Sequence, residues 1–312
     1  ESLAPETVAT DPLDALEASG IAAASDIRAP AALFAPRRNA VGWDVNEPAS
    51  IAGILDARNG WRSHVWGETG TEIRNPADPA DLVGHVEEAT PEAVDGARVA
   101  ATEGFRIWSA TPASDRAAAL RRTADLYETH AAELMALATR EAGKTLADSI
   151  AELREAVDFL RYYADAAEAA TGTPRGVMVC ISPWNFPLAI FTGQVAACLG
   201  AGNAVLAKPA EQTPLIARRA VELMLEAGVP QTVLHLLPGD GAVVGARLAS
   251  APEIAGVCFT GSTEVARLIH RSLAENAAPD AILIAETGGL NAMIVDSTAL
   301  TEQVVRDVLA SS

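Results

Sequence analysis

Aromatic, cysteine and basic residues are scarce in this chain, and each shortage excludes a class of protein. Only 4% of the residues are aromatic while 49% are hydrophobic, so any core must be built mainly from aliphatic side chains. Lysine and arginine number 23 against 41 aspartate and glutamate residues, which gives a formal net charge of -18. Nucleic acid and anionic membrane surfaces require clustered cations, and we therefore expect neither as a partner.

The three cysteines are far apart in the sequence, and each lies inside an apolar run. Cys180, Cys198 and Cys258 are in this setting more typical of small buried hydrophobes than of reactive thiolates. There is no Cys-x-x-Cys pair and no charged-then-apolar leader, which predicts a cytoplasmic protein without disulfides or a thiolate metal site. The histidines show no metal-ligand spacing either; they are His64, His85, His130, His235 and His270.

One long stretch, residues 176–207, contains no charged residue and is long enough to suggest a membrane span. Prolines, glycines and asparagines interrupt it, however, and predict a strand, a turn, a helix and a second strand. This is the pattern of a buried βαβ unit.

The 312 residues are enough for about two domains.

The chain divides by pattern into three segments. Residues 1–66 are rich in Ala, Pro, Asp and Glu and are expected to form a linker or interdomain arm. Residues 67–175 are expected to be a helical part with about four helices. Thr90-Pro91 and Ser114-Asp115 predict two helix starts, Gly143 predicts a helix end, and the longest helix is expected over 147–170.

The third segment, 176–312, alternates short apolar strands with helices. Strands are expected near 176–182, 203–208, 232–237, 255–260 and 281–286, with helices near 188–200, 214–227, 241–249, 262–276 and 300–310. This order predicts an α/β fold with a doubly wound, Rossmann-like parallel sheet. Ligands of such sheets bind at the carboxyl ends of the strands.

Two of those strand ends carry residues suited to carbonyl chemistry. Asn185 lies between Pro183 and Pro187, which stiffen the turn and hold its side-chain amide beyond the strand end. An amide held there can donate a hydrogen bond to a developing oxyanion. Glu286 precedes two glycines, and in a partly desolvated pocket its pKa would rise and suit it to activate water. A turn asparagine and a turn-capping glutamate are the simpler alternatives for each residue alone; the presence of the other motifs disfavours them.

Other strand ends carry groups suited to a nucleotide. Lys208 and Glu211 could hydrogen-bond ribose hydroxyls, although a solvated ion pair explains them equally well. The loop from Gly239 is not a Gly-x-Gly-x-x-Gly fingerprint, because Val244 occupies the third glycine position. Gly261 and Ser262 would offer a close backbone approach and a helix amino terminus to a pyrophosphate.

Together these motifs resemble the NAD(P)-dependent aldehyde dehydrogenase family over roughly residues 70–312. The resemblance rests on Pro-Trp-Asn-Phe-Pro at 183–187, Lys-Pro-Ala-Glu at 208–211, Phe-Thr-Gly-Ser at 259–262 and Glu-Thr-Gly-Gly at 286–289. Thr287 and the runs 181–194 and 291–297 are similar to the L-glutamate γ-semialdehyde (Δ1-pyrroline-5-carboxylate) dehydrogenases, especially those within bifunctional proline-utilisation proteins. Residues 28–39 resemble the arm that joins the two enzymes of such proteins.

The resemblance implies a mechanism and a cofactor. A cysteine thiolate attacks the aldehyde, Asn185 and a backbone N–H stabilise the oxyanion, hydride passes to NAD, and Glu286 activates the hydrolytic water. The residues that it implies at the cofactor are Ile181, Ser182, Pro183, Trp184, Lys208, Ala210, Glu211, Gly241, Phe259, Thr260, Gly261, Ser262, Thr287 and Gly288. The family's cysteine would follow a few positions after Ser312, so we expect a carboxy-terminally truncated fragment that is inactive alone.

The resemblance also implies partners and leaves alternatives open. The parent is expected to be fused to a flavin-dependent proline dehydrogenase domain and to be homo-oligomeric. Leu290 departs from the family, where Gln or Lys is more usual, and Glu155 matches a position near the substrate entrance, although a solvated helix face explains it equally well. The alternatives are another aldehyde dehydrogenase, such as a CoA-acylating one, or a non-catalytic nucleotide-binding module. Glu286 argues against the CoA-acylating type.

Overall fold

The computed structural model describes residues 9, 11–18 and 27–311, and its centre is a five-stranded parallel sheet covered by helices. The strands are β1 (Thr71–Asn75), β2 (Asp78–Val86), β3 (Val177–Ile181), β4 (Ala204–Lys208), β5 (Leu234–Leu236), β6 (Ile254–Thr260) and β7 (Ile282–Glu286). The helices are α1 (Pro12–Ala18), α2 (Pro48–Asn59), α3 (Pro91–Ala110), α4 (Ala113–Thr129), α5 (Ala131–Ala142), α6 (Leu146–Ala169), α7 (Ala189–Gly200), α8 (Pro214–Glu226), α9 (Ala246–Ala249), α10 (Thr263–Asn276) and α11 (Thr301–Ser311).

The large sheet has the strand order β5-β4-β3-β6-β7, and every pairing in it is parallel. All five residues of β4 are buried, as are four of the five residues of β3. Successive side chains of a strand point to opposite faces, so burial of every residue requires cover on both faces. The predicted doubly wound α/β fold is therefore confirmed, and the predicted strands match β3 to β7.

The chain builds this sheet outward from β3 in two directions. From β3 it adds β4 and β5 on one side, then returns to place β6 and β7 on the other. The strand order thus reverses between β3 and β6. In open α/β sheets this reversal leaves a crevice at the carboxyl ends of the two strands, which is where their ligands bind.

Four helices, α3 to α6, precede the sheet, as the sequence predicts. Thr90 caps α3, with its Oγ1 accepting from the Ala93 N–H at 3.2 Å, and Pro91 takes the first position. Gly143 ends α5 in the left-handed conformation with φ 68°, which a residue with a Cβ adopts only with strain. Thr145 then caps the long helix α6.

Two elements differ from the sequence prediction. Strands β1 and β2 form an antiparallel hairpin inside the segment expected to be helical. Strand β1 is Thr-Glu-Ile-Arg-Asn and largely exposed, so it lacks the apolar alternation that marks a strand. Helix α2, 12 residues long, lies inside the expected arm; Pro48 opens it, and the Glu47 side chain caps it by accepting from the Ala49 and Ser50 N–H groups.

Part of the expected arm lies against α6. The Arg37 guanidinium is 5.4 Å from the centre of the Tyr162 ring, and the Ala40 N–H donates to Asp158 Oδ1 at 2.8 Å. Residues 1–8, 10 and 19–26 of the arm lie outside the described residues. In the described ranges, no helix has the length and apolarity needed to cross a membrane. The uncharged stretch 176–207 forms the predicted βαβ unit, with β3, α7 and most of β4.

Candidate active site

The candidate site lies at the reversal of the sheet, where the loops after β3 and β6 leave neighbouring strands. Gln194 of α7 connects these two loops. Its Nε2 donates to Thr260 Oγ1 at 3.0 Å and to the Ile181 carbonyl at 3.4 Å. This amide therefore fixes the spacing of the two strand ends, and the sequence motifs did not single it out.

Asn185 lies in the loop between β3 and α7, and its side chain is exposed. Its neighbours Trp184 and Phe186 are also exposed, whereas Pro187 and Leu188 are buried. The buried half of the loop leads directly into α7, so the helix holds the exposed half at the carboxyl edge of the sheet. The structure thus places the Asn185 amide beyond the strand end, as predicted.

A buried carboxylate that sequence reasoning missed holds this loop in place. Glu152 of α6 accepts from the Leu188 N–H at 3.1 Å and from the Ala189 N–H at 3.2 Å through Oε2. These N–H groups lie at the start of α7, where backbone donors have no partner within the helix and the helix dipole favours negative charge. Burial raises the pKa of Glu152, while Lys144, whose Nζ is 3.5 Å from Oε1, opposes the rise.

Lys144 joins this carboxylate to the Asn185 loop. Its Nζ lies 4.2 Å from the centre of the Phe186 ring, a cation–π distance. Glu155, one turn further along α6 from Glu152, is exposed to solvent. Partial desolvation raises the pKa of Glu155, and Lys144 opposes that rise too. The described residues around Asn185 therefore combine one cation with two carboxylates.

The predicted ribose-binding pair is an ion pair in the structure. Lys208 Nζ lies 2.7 Å from Glu211 Oε1, and the Gly241 N–H donates to the same oxygen at 2.7 Å. Burial would raise the pKa of Glu211, but Lys208 and the backbone donors outweigh it and the pKa is lowered. A Cβ at Gly241 would lie only 3.3 Å from Glu211 Oε1, so this glycine permits the close approach.

The ends of β6 and β7 are joined by the backbone. The Gly261 N–H donates to the Glu286 carbonyl at 3.1 Å, and Ser262 Oγ caps α10 by accepting from the Val265 N–H at 3.2 Å. The Glu286 side chain is exposed, because β7 is an edge strand and, among the described residues, pairs with β6 alone. Glu286 is therefore solvated in the described residues, and the desolvated pocket on which its predicted role depends stays a prediction.

The residues predicted to hold a cofactor lie at or near the carboxyl ends of the parallel strands. They are Ile181, Ser182, Pro183 and Trp184 after β3, Lys208, Ala210 and Glu211 after β4, Gly241 beyond β5, Phe259, Thr260, Gly261 and Ser262 after β6, and Thr287 and Gly288 after β7. In the described part of the chain, the buried Ser182 Oγ has no hydrogen-bond partner. A buried hydroxyl without a partner at this edge fits a ligand with its own donors and acceptors.

The thiols, by contrast, face the interior. Cys180, Cys198 and Cys258 are all buried, as the apolar runs around them predict. None of them lies at the exposed strand ends, so none is available there as a nucleophile.

Comparison with known proteins relates this geometry to a family. The model of the aldehyde dehydrogenase family matches residues 61–312. The bifunctional protein PutA of Escherichia coli K12 is 58% identical over 247 residues, which are 77% of this chain and 19% of that protein. The PutA of Rhizobium meliloti is 47% identical and the match covers 97% of this chain but 26% of that protein. The chain thus spans about a quarter or less of these curated relatives.

Solved structures show the same similarity. A variant of Bradyrhizobium japonicum proline utilization A superposes with a TM-score of 0.81 and 45% identity, over 98% of this chain and 31% of that chain. A 1-pyrroline-5-carboxylate dehydrogenase from Thermus with bound NAD superposes with a TM-score of 0.73 and 30% identity, over 83% of this chain and 56% of that one.

Proposed function

The chain belongs to the aldehyde dehydrogenase family, and from this premise we propose that it is part of an enzyme that oxidises L-glutamate 5-semialdehyde to L-glutamate with NAD. The relatives support a role in proline catabolism, since they are PutA proteins and 1-pyrroline-5-carboxylate dehydrogenases. The observation that carries the proposal is the meeting of the loops after β3 and β6 at the reversal of the sheet, with Asn185 on one loop and Glu286 on the neighbouring strand end.

Two side chains have separate roles in the proposed reaction. The Asn185 amide donates to the oxygen of the substrate carbonyl as negative charge develops on it, a contribution of about 10²–10³ in rate. The Glu286 carboxylate takes a proton from the water that attacks the thioester on the family's cysteine, and the C–S bond breaks to release the acid and the cysteine thiolate. Because the exposed Glu286 lacks the predicted desolvation here, we propose that the rest of the parent protein covers it.

We propose that the strand ends bind NAD. Glu211 would accept from a ribose hydroxyl through the oxygen that is not paired with Lys208, and Gly261 would allow the pyrophosphate to approach the amino terminus of α10. When bound, NAD supplies the acceptor for the hydride. The residues of this chain orient it and keep the Asn185 loop in register with β6 through Gln194.

The experiment that tests the proposal uses the full-length parent, since the chain spans only part of its relatives. The parent should form NADH from L-glutamate 5-semialdehyde, and Glu286→Gln should give a burst of NADH followed by a slow steady state. Water activation follows hydride transfer, so only the later step should slow. Loss of burst and steady state together would assign Glu286 to another role, and no NADH from the wild type would contradict the proposed activity.

A non-catalytic nucleotide-binding module is the second candidate. The burial of all three cysteines favours it for the chain by itself, because a covalent step needs an accessible thiolate. Purified chain 1–312 should bind NAD but form no NADH above the rate without protein. NADH formation by this chain would show that it contains the nucleophile itself. This would contradict the proposal that the nucleophilic cysteine lies in another part of the parent. Fusion to a proline dehydrogenase domain and homo-oligomerisation remain proposals for the parent.

A further inference from the structure

The three cysteines, distant in sequence, meet in the core beneath the candidate site. Cys180 of β3 and Cys258 of β6 are directly paired across the sheet, and Cys198 of α7 packs onto them. The Sγ atoms of Cys180 and Cys198 are 3.8 Å apart, as are those of Cys198 and Cys258. All three Sγ atoms lie within 4.8 Å of one another. The spacing of the cysteines along the sequence predicted no thiolate metal site, because that spacing does not show which residues the fold brings together.

The surroundings of these thiols limit what they could bind. Their exposed fractions are 1% for Cys180, 5% for Cys198 and 7% for Cys258. In the described ranges, no histidine, aspartate or glutamate joins the group as a fourth ligand. Zinc in structural sites takes four ligands in a tetrahedron, so this group is one ligand short for zinc.

The net charge of the complex distinguishes the metal ions that three thiolates could bind. Such a complex has a net charge of −2 with Cu(I) and of −1 with Zn²⁺. An uncompensated charge in an apolar core costs several kcal/mol or more. Three thiolates around a trivalent centre carry none. The group therefore favours a three-coordinate, trivalent, thiophilic element, for which three sulfurs complete the coordination shell.

We propose that Cys180, Cys198 and Cys258 form a binding site for trivalent arsenic, taken up as arsenous acid. Three S–As bonds form and three As–OH bonds break, and each thiol proton leaves with a hydroxide as water. Arsenic stays trivalent and no electron is transferred. Neutral reactants thus give a neutral product, and the core never holds a net charge.

The exposure of the three thiols indicates where the reaction begins. Cys258 is the most exposed of the three. Its sulfur is thus the first that arsenous acid can reach, and the other two sulfurs, within 4.8 Å of it, complete the site.

The test is native mass spectrometry of the purified, reduced chain after incubation with arsenite for a day, in buffer without competing dithiols. The expected product is a folded species whose mass is increased by one arsenic atom minus three hydrogen atoms. All three thiols of this species should be unreactive to a thiol reagent in denaturant. Because the thiols are buried, a second sample is refolded with arsenite present. No such species in either sample would overturn the proposal.

Single Cys180→Ala, Cys198→Ala and Cys258→Ala variants are the matched controls. Each should bind arsenic about 10²–10⁴-fold more weakly, because the third bond forms at a high effective concentration only in the intact group. If one variant does not fold, the mass of the wild-type adduct still decides. An adduct that retains a hydroxyl on arsenic would show two bonds and contradict a three-thiol site. Zinc is expected not to bind at equimolar concentration, and retention of zinc would contradict the charge argument.

Discussion

At the residue scale, Lys208 and Glu211 are the groups best placed to choose between NAD and NADP. Glu211 is fixed by Lys208 and by the Gly241 N–H through one oxygen, so its other oxygen lies outside this ion pair. The lowered pKa of Glu211 keeps the side chain charged near neutral pH. A ribose 2′-hydroxyl can donate to it, whereas a 2′-phosphate would meet a like charge.

We therefore predict that Glu211→Ala in the full-length parent raises kcat/KM for NADP relative to NAD by about tenfold or more, which corresponds to roughly 1.4 kcal/mol of relieved repulsion. Kinetics with both cofactors measure this ratio. Glu226→Ala, which removes an exposed carboxylate at the end of α8, is the matched control and should leave the ratio unchanged. An unchanged ratio in Glu211→Ala would show that this carboxylate does not set the preference.

Sequence reasoning placed Asn185, Glu211 and Glu286 at strand ends because each lies at the end of, or shortly after, an apolar run that marks a strand, and strand ends of a parallel sheet meet at one edge. It did not locate Glu152 or the cluster of thiols. Glu152 is 36 residues from Leu188, and only the packing of α6 against α7 brings them together. Contacts of this kind depend on how helices dock, which local patterns do not encode.

At the element scale, two helices that follow strand-end motifs are capped by buried glutamate side chains from other helices. Glu152 of α6 caps α7, and Glu141 of α5 caps α8 by accepting from the Leu215 N–H at 2.6 Å and the Ile216 N–H at 2.9 Å. Neither helix has a side-chain cap of its own. The layer of helices before the sheet thus fixes the loops that carry Asn185 and Lys208.

Glu152→Ala is expected to lower the free energy of unfolding by about 2–3 kcal/mol, because two N–H groups at the start of α7 lose their acceptor and the Lys144 ammonium loses its ion-pair partner. Urea unfolding followed by circular dichroism measures the change. Glu155→Ala on the same helix removes an exposed carboxylate and should cost less than about 0.5 kcal/mol. Equal losses in the two variants would rule out the capping role.

Glu141 should make stability depend on pH. Burial raises its pKa to about 8, although both N–H donors and Arg218 oppose the rise. The folded chain therefore keeps a proton that the unfolded chain loses above its ordinary pKa. The contribution of Glu141 to the free energy of unfolding is fully present below that ordinary pKa. It is lost as the pH rises to 8, by at most about 1.4 kcal/mol per pH unit.

We expect the urea midpoint of the wild type, minus that of Glu141→Gln at the same pH, to fall between pH 5 and pH 8. The glutamine of the variant has no proton to lose. The comparison at each pH cancels the titration of the other groups. A constant difference between the two proteins across this range would show that Glu141 has the same protonation state folded and unfolded.

At the scale of the whole molecule, the net charge of -18 acts against compactness. Like charges on a folded surface repel, and salt screens them over about 8–10 Å at physiological ionic strength. Many surface carboxylates lie in ion pairs, such as Asp95 with Arg247 and Glu168 with Arg121, yet the excess of 41 acidic over 23 basic residues remains.

Raising NaCl from low to moderate concentration at neutral pH should therefore increase Tm, by roughly 2–4 °C for each kcal/mol of repulsion that is screened. Differential scanning calorimetry of the chain measures it. The same series near the isoelectric point of about 4.6 is the control, where the net repulsion is absent and Tm should be nearly independent of salt. A fall in Tm with salt at neutral pH would mean that the ion pairs outweigh the repulsion.

The reversal of strand order also dictates when the binding edge can exist during synthesis. As the chain leaves the ribosome, β3, β4 and β5 emerge in order and can pair as soon as each appears. The other flank of β3 stays bare until β6 emerges, because Val177 pairs with Ile254, 77 positions later. Such a distant pairing is slow to form and exposes a strand edge to other chains in the meantime. The crevice at β3 and β6 is thus a late product of folding, and a nascent chain acquires it only after three of the five strands have emerged.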